Sequence, residues 1–203
     1  YVSLAPSWAG IYDLTPAQMV AVLKKLGFYA VSETALGAQQ VSIKTAEMLN
    51  NGENGLYISS ACPVIVDYIR YYKPEFAKYI TPLASPALTH AKMLKEEYGD
   101  DISVVFIGPC IGKKNEADSN PDFIDAALTF EELNYWISEE FINVSEIEVN
   151  NGDKFVPEEA FEGALYPVEG GMNDTIKEVG LNKDVTLVKI SGLENFDNFV
   201  EGL

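Results

Sequence analysis

The sequence is short of the residues that build staples, metal cages and basic surfaces. Its 203 residues contain two cysteines and one histidine. Two cysteines cannot make the disulfide framework of a small secreted scaffold, so a metal or redox role is the better expectation for them than a staple. A lone helical histidine, His90, has no carboxylate partner in the pattern around it and is expected in the core or at the surface, without a ligand role. Basic residues are outnumbered, 14 Lys and Arg against 31 Asp and Glu, a formal charge of −17. Nucleic acid and anionic membrane surfaces are held by basic patches, so neither is an expected partner. The acidity favours solubility and would suit a basic redox partner. No run approaches the ~18 apolar residues of a membrane span, and no basic segment followed by an apolar one opens the chain. The cysteine usage fits a reducing, cytoplasmic setting. Neither the Asp-x-Asp-x-Asp-Gly spacing of a calcium loop nor the Gly-x-x-x-x-Gly-Lys of a phosphate loop occurs.

What is present is an ordinary globular composition, 47% hydrophobic and 22% charged, in a length that suits one large domain or two small lobes. The most informative stretch is Ser103-Val-Val-Phe-Ile-Gly-Pro-Cys-Ile-Gly-Lys-Lys114. Its apolar run predicts a strand covered on both faces. Gly108 and Pro109 end that strand and present Cys110 at the carboxyl edge of the sheet, where open α/β sheets bind ligands. Lys113 would lie one turn along a following helix, with Glu116 and Asp118 extending it. Cys62 stands in a similar place, after the strand-like run Leu56–Ala61 and before Pro63.

The rest of the chain alternates strands and helices. Tyr1–Leu4, Phe28–Glu33, Ala126–Thr129 and Val185–Ile190 read as further strands. Thr15-Pro16 and Ser85-Pro86 read as helix starts, and Gly27 and Gly99 as stops. Thr129 to Glu132 forms a capping box. Pro63 opens a helix running to Tyr72, with Val64, Ile65, Tyr68, Ile69 and Tyr72 as its buried face. Gln39–Asn50 is a helix whose one carboxylate, Glu47, is expected in solvent. Residues 143–162 are acidic and read as a long solvated connection. A last helix is expected over Glu194–Leu203.

Four of these stretches carry a resemblance. Leu4-Ala-Pro-Ser7, Ser59-Ser-Ala-Cys-Pro63, Gly108-Pro-Cys-Ile-Gly-Lys-Lys-Asn-Glu-Ala117 and Ala164-Leu-Tyr-Pro-Val-Glu-Gly-Gly171 resemble, in order and spacing, the cluster-binding carboxyl-terminal domain of [FeFe]-hydrogenase large subunits. The resemblance spans nearly the whole chain. It implies an α/β fold of two lobes, each a mostly parallel sheet flanked by helices, with residues 1–110 in the first lobe and 111–203 in an incomplete second.

The resemblance also implies site roles. Cys62 and Cys110 would ligate the [4Fe-4S] part of the active-site cluster. Ala5, Pro6, Ser7, Ser85, Pro86 and Tyr166 would line the pocket of a diiron subcluster. Lys113 would hydrogen-bond a cyanide there, supported by Glu116. Two departures weigh on activity. Catalytic members carry a proton-passing cysteine where this chain has Ala61, and a methyl group has no proton to pass. Gly108 replaces their usual methionine and is expected to loosen the pocket wall.

A [4Fe-4S] cluster takes four thiolates, and the family draws two from a later Cys-rich segment. The expectation is therefore a piece of a longer protein, cluster-free by itself. In the parent, three readings stand: an enzyme interconverting protons and dihydrogen with a ferredoxin-like electron donor, a hydrogen- or redox-sensing module of the sensory subgroup, and an apo scaffold binding a protein partner.

Overall fold

Four short apolar runs, β1 (Val2–Leu4), β2 (Val31–Glu33), β3 (Val105–Gly108) and β4 (Ala126–Thr129), pair into one parallel sheet in the order β2-β1-β3-β4. The computed structural model describes residues 1–52, 54–157, 160, 162–166, 168 and 170–202. Val2 faces Val31 on one side and Val105 on the other, and Val105 faces Ala126. Parallel strands need crossovers, and the crossover helices cover both faces, so every residue of β1 and β2 is buried.

The helices begin where their caps say. Thr15 and Gln18 form a capping box ahead of α1 (Pro16–Lys25), and Thr129 and Glu132 form another ahead of α6 (Phe130–Glu139). Ser85 Oγ accepts the Leu88 amide to open α4 (Pro86–Tyr98). The others are α2 (Thr34–Asn51), α3 (Pro63–Tyr72), α5 (Gly112–Ser119), α7 (Gly171–Glu178) and α8 (Leu193–Glu201). The main core gathers Val2, Leu4, Leu23, Ile107 and Leu133 around the sheet. The sheet takes β4 from beyond Cys110, so residues on both sides of that position share one core.

The α/β class stands as expected, but a second sheet is not formed among the described residues. Leu56–Ala61 contributes one parallel bridge, Ile58 with Ile80, and Val185–Ile190 forms no strand among the described residues. A strand-like sequence becomes a strand only when a neighbour accepts its amides and carbonyls. In place of a sheet there are two small clusters, one around Leu49 and Ile176 and one around Ile69 and Phe196. On α3 the expected buried face narrows to Ile69, while Val64 and Tyr72 are exposed.

The connection expected to be solvated is exposed over 148–152 but docks at Asp153, Phe155, Val156 and Ala160. β2 is an edge strand whose backbone needs cover, and Val156 N–H donates to Val31 O at 3.0 Å. Ala160 N–H donates to Glu33 Oε2 at 2.7 Å, Phe155 packs its ring 6.2 Å from that of Trp8, and Lys24 Nζ donates to the buried Asp153 at 3.0 Å. The Asn150 amide, with Lys24, holds the Asp153 carboxyl below its ordinary range.

Beneath the sheet edge, α2 and α4 press together at Gly37, where a Cβ would stand 2.7 Å from His90 Cβ and 2.8 Å from His90 N. His90 is a core residue. Its Nδ1 pairs with Ser3 Oγ at 2.7 Å, its Nε2 with Ser32 Oγ at 2.9 Å, and Ser3 Oγ continues to Thr34 Oγ1 at 2.8 Å. One side chain thus ties β1, β2, α2 and α4 together. Burial drives the His90 pKa down to about 3, so the ring is neutral at physiological pH.

Candidate functional site

The chain leaves β1, adds β2 on one side and later returns to add β3 on the other, so the topological switch point lies between β1 and β3. The crevice outside the carboxyl ends of those two strands is where an open parallel sheet receives ligands. Two predicted stretches form its rim, Ala5-Pro6-Ser7 after β1 and Pro109-Cys110 after β3. Ala5 N–H donates to Ile107 O at 2.8 Å and carries the pairing one residue past β1. Pro6 then opens a short 3-10 turn, Pro6–Gly10, with Ser7 half-buried in it.

The wall at Gly108 is not loosened. A Cβ built there would stand 2.7 Å from Phe106 Cζ and 2.8 Å from Ala5 Cβ, so an aromatic ring and a methyl fill the space a larger residue would take. Phe106 was invisible as a site residue because its strand pattern reads only as core.

Lys113, Ser85 and Glu116 are brought together from α5 and α4. Lys113 Nζ donates to Ser85 Oγ at 3.0 Å and to Glu116 Oε2 at 2.6 Å, and stands 6.0 Å from the Phe106 ring centroid. Their side chains are only 13% and 9% exposed for Lys113 and Glu116, so this ammonium is fixed rather than solvated. Pro86 follows Ser85 at the first position of α4.

The two thiols sit at the amino ends of two touching helices. Cys62 is the N-cap of α3, and Cys110 O accepts the Lys113 amide at 3.1 Å just ahead of α5. At Gly112 a Cβ would run into Val64 Cγ2 in the first turn of α3 and lie 3.6 Å from Cys110 Sγ. Asn115 Nδ2 completes the contact by donating to Asp67 Oδ2 at 3.0 Å. Both cysteines are free and exposed. The partial positive charge of two helix starts favours an anionic group held between them.

Tyr166 is set against α2. Its hydroxyl pairs with Ser42 Oγ at 2.9 Å, and with Ala61 and Cys62 it lines a cavity of about 650 Å³. Burial raises the Tyr166 pKa against the opposing Ser42 hydrogen bond. Gly170 takes φ of 85° and Gly171 backs onto Leu165 O, so both positions at the start of α7 leave no room for a side chain or favour its absence. Pro167 and Glu169 of that motif, and Leu203 of the terminal helix, lie outside the described residues.

The described residues offer two thiols, Cys62 and Cys110. Among the described residues no group of three or more His, Cys, Asp or Glu is placed to hold a metal. Four thiolates are the normal set for a [4Fe-4S] cluster, so these residues by themselves do not fit one.

The family described as "Iron only hydrogenase large subunit, C-terminal domain" matches residues 1–202. The chain belongs to that family. The iron-only hydrogenase relationship extends to a curated relative, the periplasmic [Fe] hydrogenase large subunit of Nitratidesulfovibrio vulgaris, 27% identical over 180 residues, which are 79% of this chain and 42% of the relative. Two solved structures share the fold. HydA(deltaEFG), from work on stepwise assembly of the [FeFe]-hydrogenase H-cluster, superposes with a TM-score of 0.70 at 22% identity, covering 95% of this chain and 55% of that one. A glutamate-to-alanine variant of the [FeFe]-hydrogenase HydA1 from Chlamydomonas reinhardtii gives 0.70 at 24% identity, covering 95% and 56%. The chain thus spans about half the length of the hydrogenases it matches. Among its described residues no helix is long and apolar enough to cross a membrane.

Proposed function

We propose that this chain is the cluster-facing portion of an [FeFe]-hydrogenase-like protein whose parent senses hydrogen or redox state rather than turning hydrogen over. The observation that carries the reading is the contact between the first turns of α3 and α5, which sets Cys110 beside the helix that Cys62 caps. On this reading Cys62 and Cys110 are two of four cluster thiolates, and the other two come from polypeptide outside these residues. Lys113, fixed by Ser85 and Glu116, is the cation facing the diiron unit, with Ala5, Pro6, Ser7, Pro86 and Tyr166 around it. Ala61 favours sensing, because the position beside Cys62 offers no proton. Protons and dihydrogen are the small-molecule partners, a ferredoxin-like donor the electron partner, and a reducing cytosol suits two free, exposed thiols.

Anaerobic reconstitution with iron and sulfide tests this. The isolated chain is expected to retain far less than the four irons of a cubane, and Cys62→Ser or Cys110→Ser to remove what is held. A full, stable cubane on the isolated monomer would overturn the half-site reading. In the cluster-loaded parent, Ala61→Cys is expected to raise hydrogen turnover, and unchanged turnover would count against a sensor made quiet by its missing relay.

A further inference from the structure

Asparagine followed by glycine is a reactive pair, because glycine has no side chain to keep its own nitrogen from closing on the asparagine carboxamide. The chain contains three such pairs, Asn51-Gly52, Asn54-Gly55 and Asn151-Gly152. Closure requires the asparagine backbone to rotate until the glycine nitrogen faces its Cγ, and the fold treats the three pairs differently.

Asn51-Gly52 is locked at a helix end. Asn51 closes α2, its Nδ2 donates to Glu47 O at 2.9 Å, and the Gly52 amide donates to Met48 O at 2.8 Å. Lys183 Nζ holds the Gly52 carbonyl at 2.7 Å. The attacking nitrogen and the carboxamide are therefore both engaged elsewhere. Asn151-Gly152 is braced inside a tight turn. The Asp153 amide donates to Asn150 O at 2.9 Å, the Asn150 amide donates to Asp153 Oδ2 at 2.8 Å, and Lys24 Nζ donates to Gly152 O at 2.7 Å.

Asn54-Gly55 has neither device. Both residues are exposed, they lie in a bend, and neither makes a hydrogen bond among the described residues. A Cβ built on Gly55 meets nothing within 4 Å, so a ring has room to form. The fixed points stand outside the pair, at Gly52 on one side and on the other at Ile58, whose amide donates to Tyr79 O at 2.8 Å.

We propose that Asn54 is a self-modification site, where the folded protein converts asparagine to aspartate and isoaspartate. The Gly55 nitrogen gives its proton to solvent base and bonds to Asn54 Cγ; the bond from Cγ to Nδ2 breaks, and ammonia leaves. Water then opens the succinimide at either carbonyl, giving aspartate by one route and isoaspartate by the other. A water is consumed, an ammonia is released, and nothing is oxidised or reduced. The product places a new carboxylate on the lining of the cavity of about 650 Å³, to which Asn54, Gly55 and Lys183 all contribute. By the isoaspartate route the main chain also gains a methylene between its two fixed points. This goes beyond the cluster reading and does not depend on it, because no metal takes part.

The test ages the purified, metal-free chain in mildly alkaline buffer and follows each asparagine by peptide mass spectrometry, which separates acid from amide. Asn54 is expected to convert about tenfold faster than Asn51 or more, because the bonds at Asn51 must open before its ring can close. Asn151 is expected between them. In urea the three should convert at like rates, since the fold is what separates them. Asn54→Gln, which would have to close a larger ring, should remove the fast conversion and leave the other two pairs unchanged. A folded chain in which Asn54 reacts no faster than Asn51, or more slowly than Asn151, would overturn the proposal. The same ranking in urea would also overturn it, by placing the cause in the local sequence. None of these results bears on whether Cys62 and Cys110 hold iron, so the two readings fail separately.

Discussion

His90→Ala is expected to lower the unfolding free energy by about 3–5 kcal/mol, read from the urea midpoint at neutral pH, because it opens a cavity and strips partners from buried hydroxyls. His90, Ser3 and Ser32 are each no more than 1% exposed. The triple replacement Ser3→Ala, Ser32→Ala, His90→Leu is expected to recover most of that loss, since removing both members of a buried polar pair is far cheaper than removing one. A single variant costing less than about 1 kcal/mol would show that the network carries little of the stability.

The same residue sets an acid limit. The His90 pKa is about 3 in the folded protein against an ordinary value of 6.5, so between those pH values the unfolded chain binds a proton that the folded one refuses. Stability from this group is therefore complete above about pH 6.5 and is lost as pH falls toward 3, by on the order of 5 kcal/mol in total. Carboxylates held low, such as Asp153 and Glu132, add acid sensitivity of the same sign at lower pH. The triple variant separates them. Between pH 6 and 4 its stability should fall less steeply than wild type by up to about 1.4 kcal/mol per pH unit. Parallel slopes in the two proteins would show that His90 is protonated in the fold.

Gly37→Ala is the second change with a large expected effect. The added methyl would run into the Pro86 carbonyl and stand 2.8 Å from His90 N, and neither backbone atom can move without parting α2 from α4. A loss of about 3 kcal/mol or more is expected, at the upper end of overpacking costs. The consequence reaches the site, because Ser85 opens α4 and holds Lys113 at 3.0 Å. Faster amide exchange at the start of α4 should accompany the loss. Gly10→Ala, with nothing within 4 Å of the new methyl, is the control and should change stability by no more than about 0.5 kcal/mol. Equal stabilities for the two variants would mean that the helices part without cost.

Much of the site was legible because its signals are local. The Gly-Pro turn after β3 places Cys110 at the sheet edge, Pro63 starts α3 behind Cys62, and Ser85-Pro86 starts α4, each within a few residues of its cause. Lys113 and Glu116 meet because they are three apart on one helix. The hydroxyl that completes their pairing comes from 28 residues away, and the sequence pattern alone does not join it to them except through family resemblance. Phe106, Ser42 as the partner of Tyr166, and the docking of Phe155 carried no local mark.

Sequence alone determined the helix starts at Pro16, Pro63 and Pro86, the capping boxes and the α/β class, since propensity, proline and capping act over one or two turns. Tertiary structure decided the strand order that makes β1 and β3 the switch point, and the burial of His90 between serines 87 and 58 residues away. It also decided which strand-like runs became strands. Val105–Gly108 pairs with a strand on each side and Val185–Ile190 forms no strand among the described residues, although both are rich in strand-forming residues. A strand is completed by backbone groups on another segment, and whether that segment is at hand is a property of the folded chain.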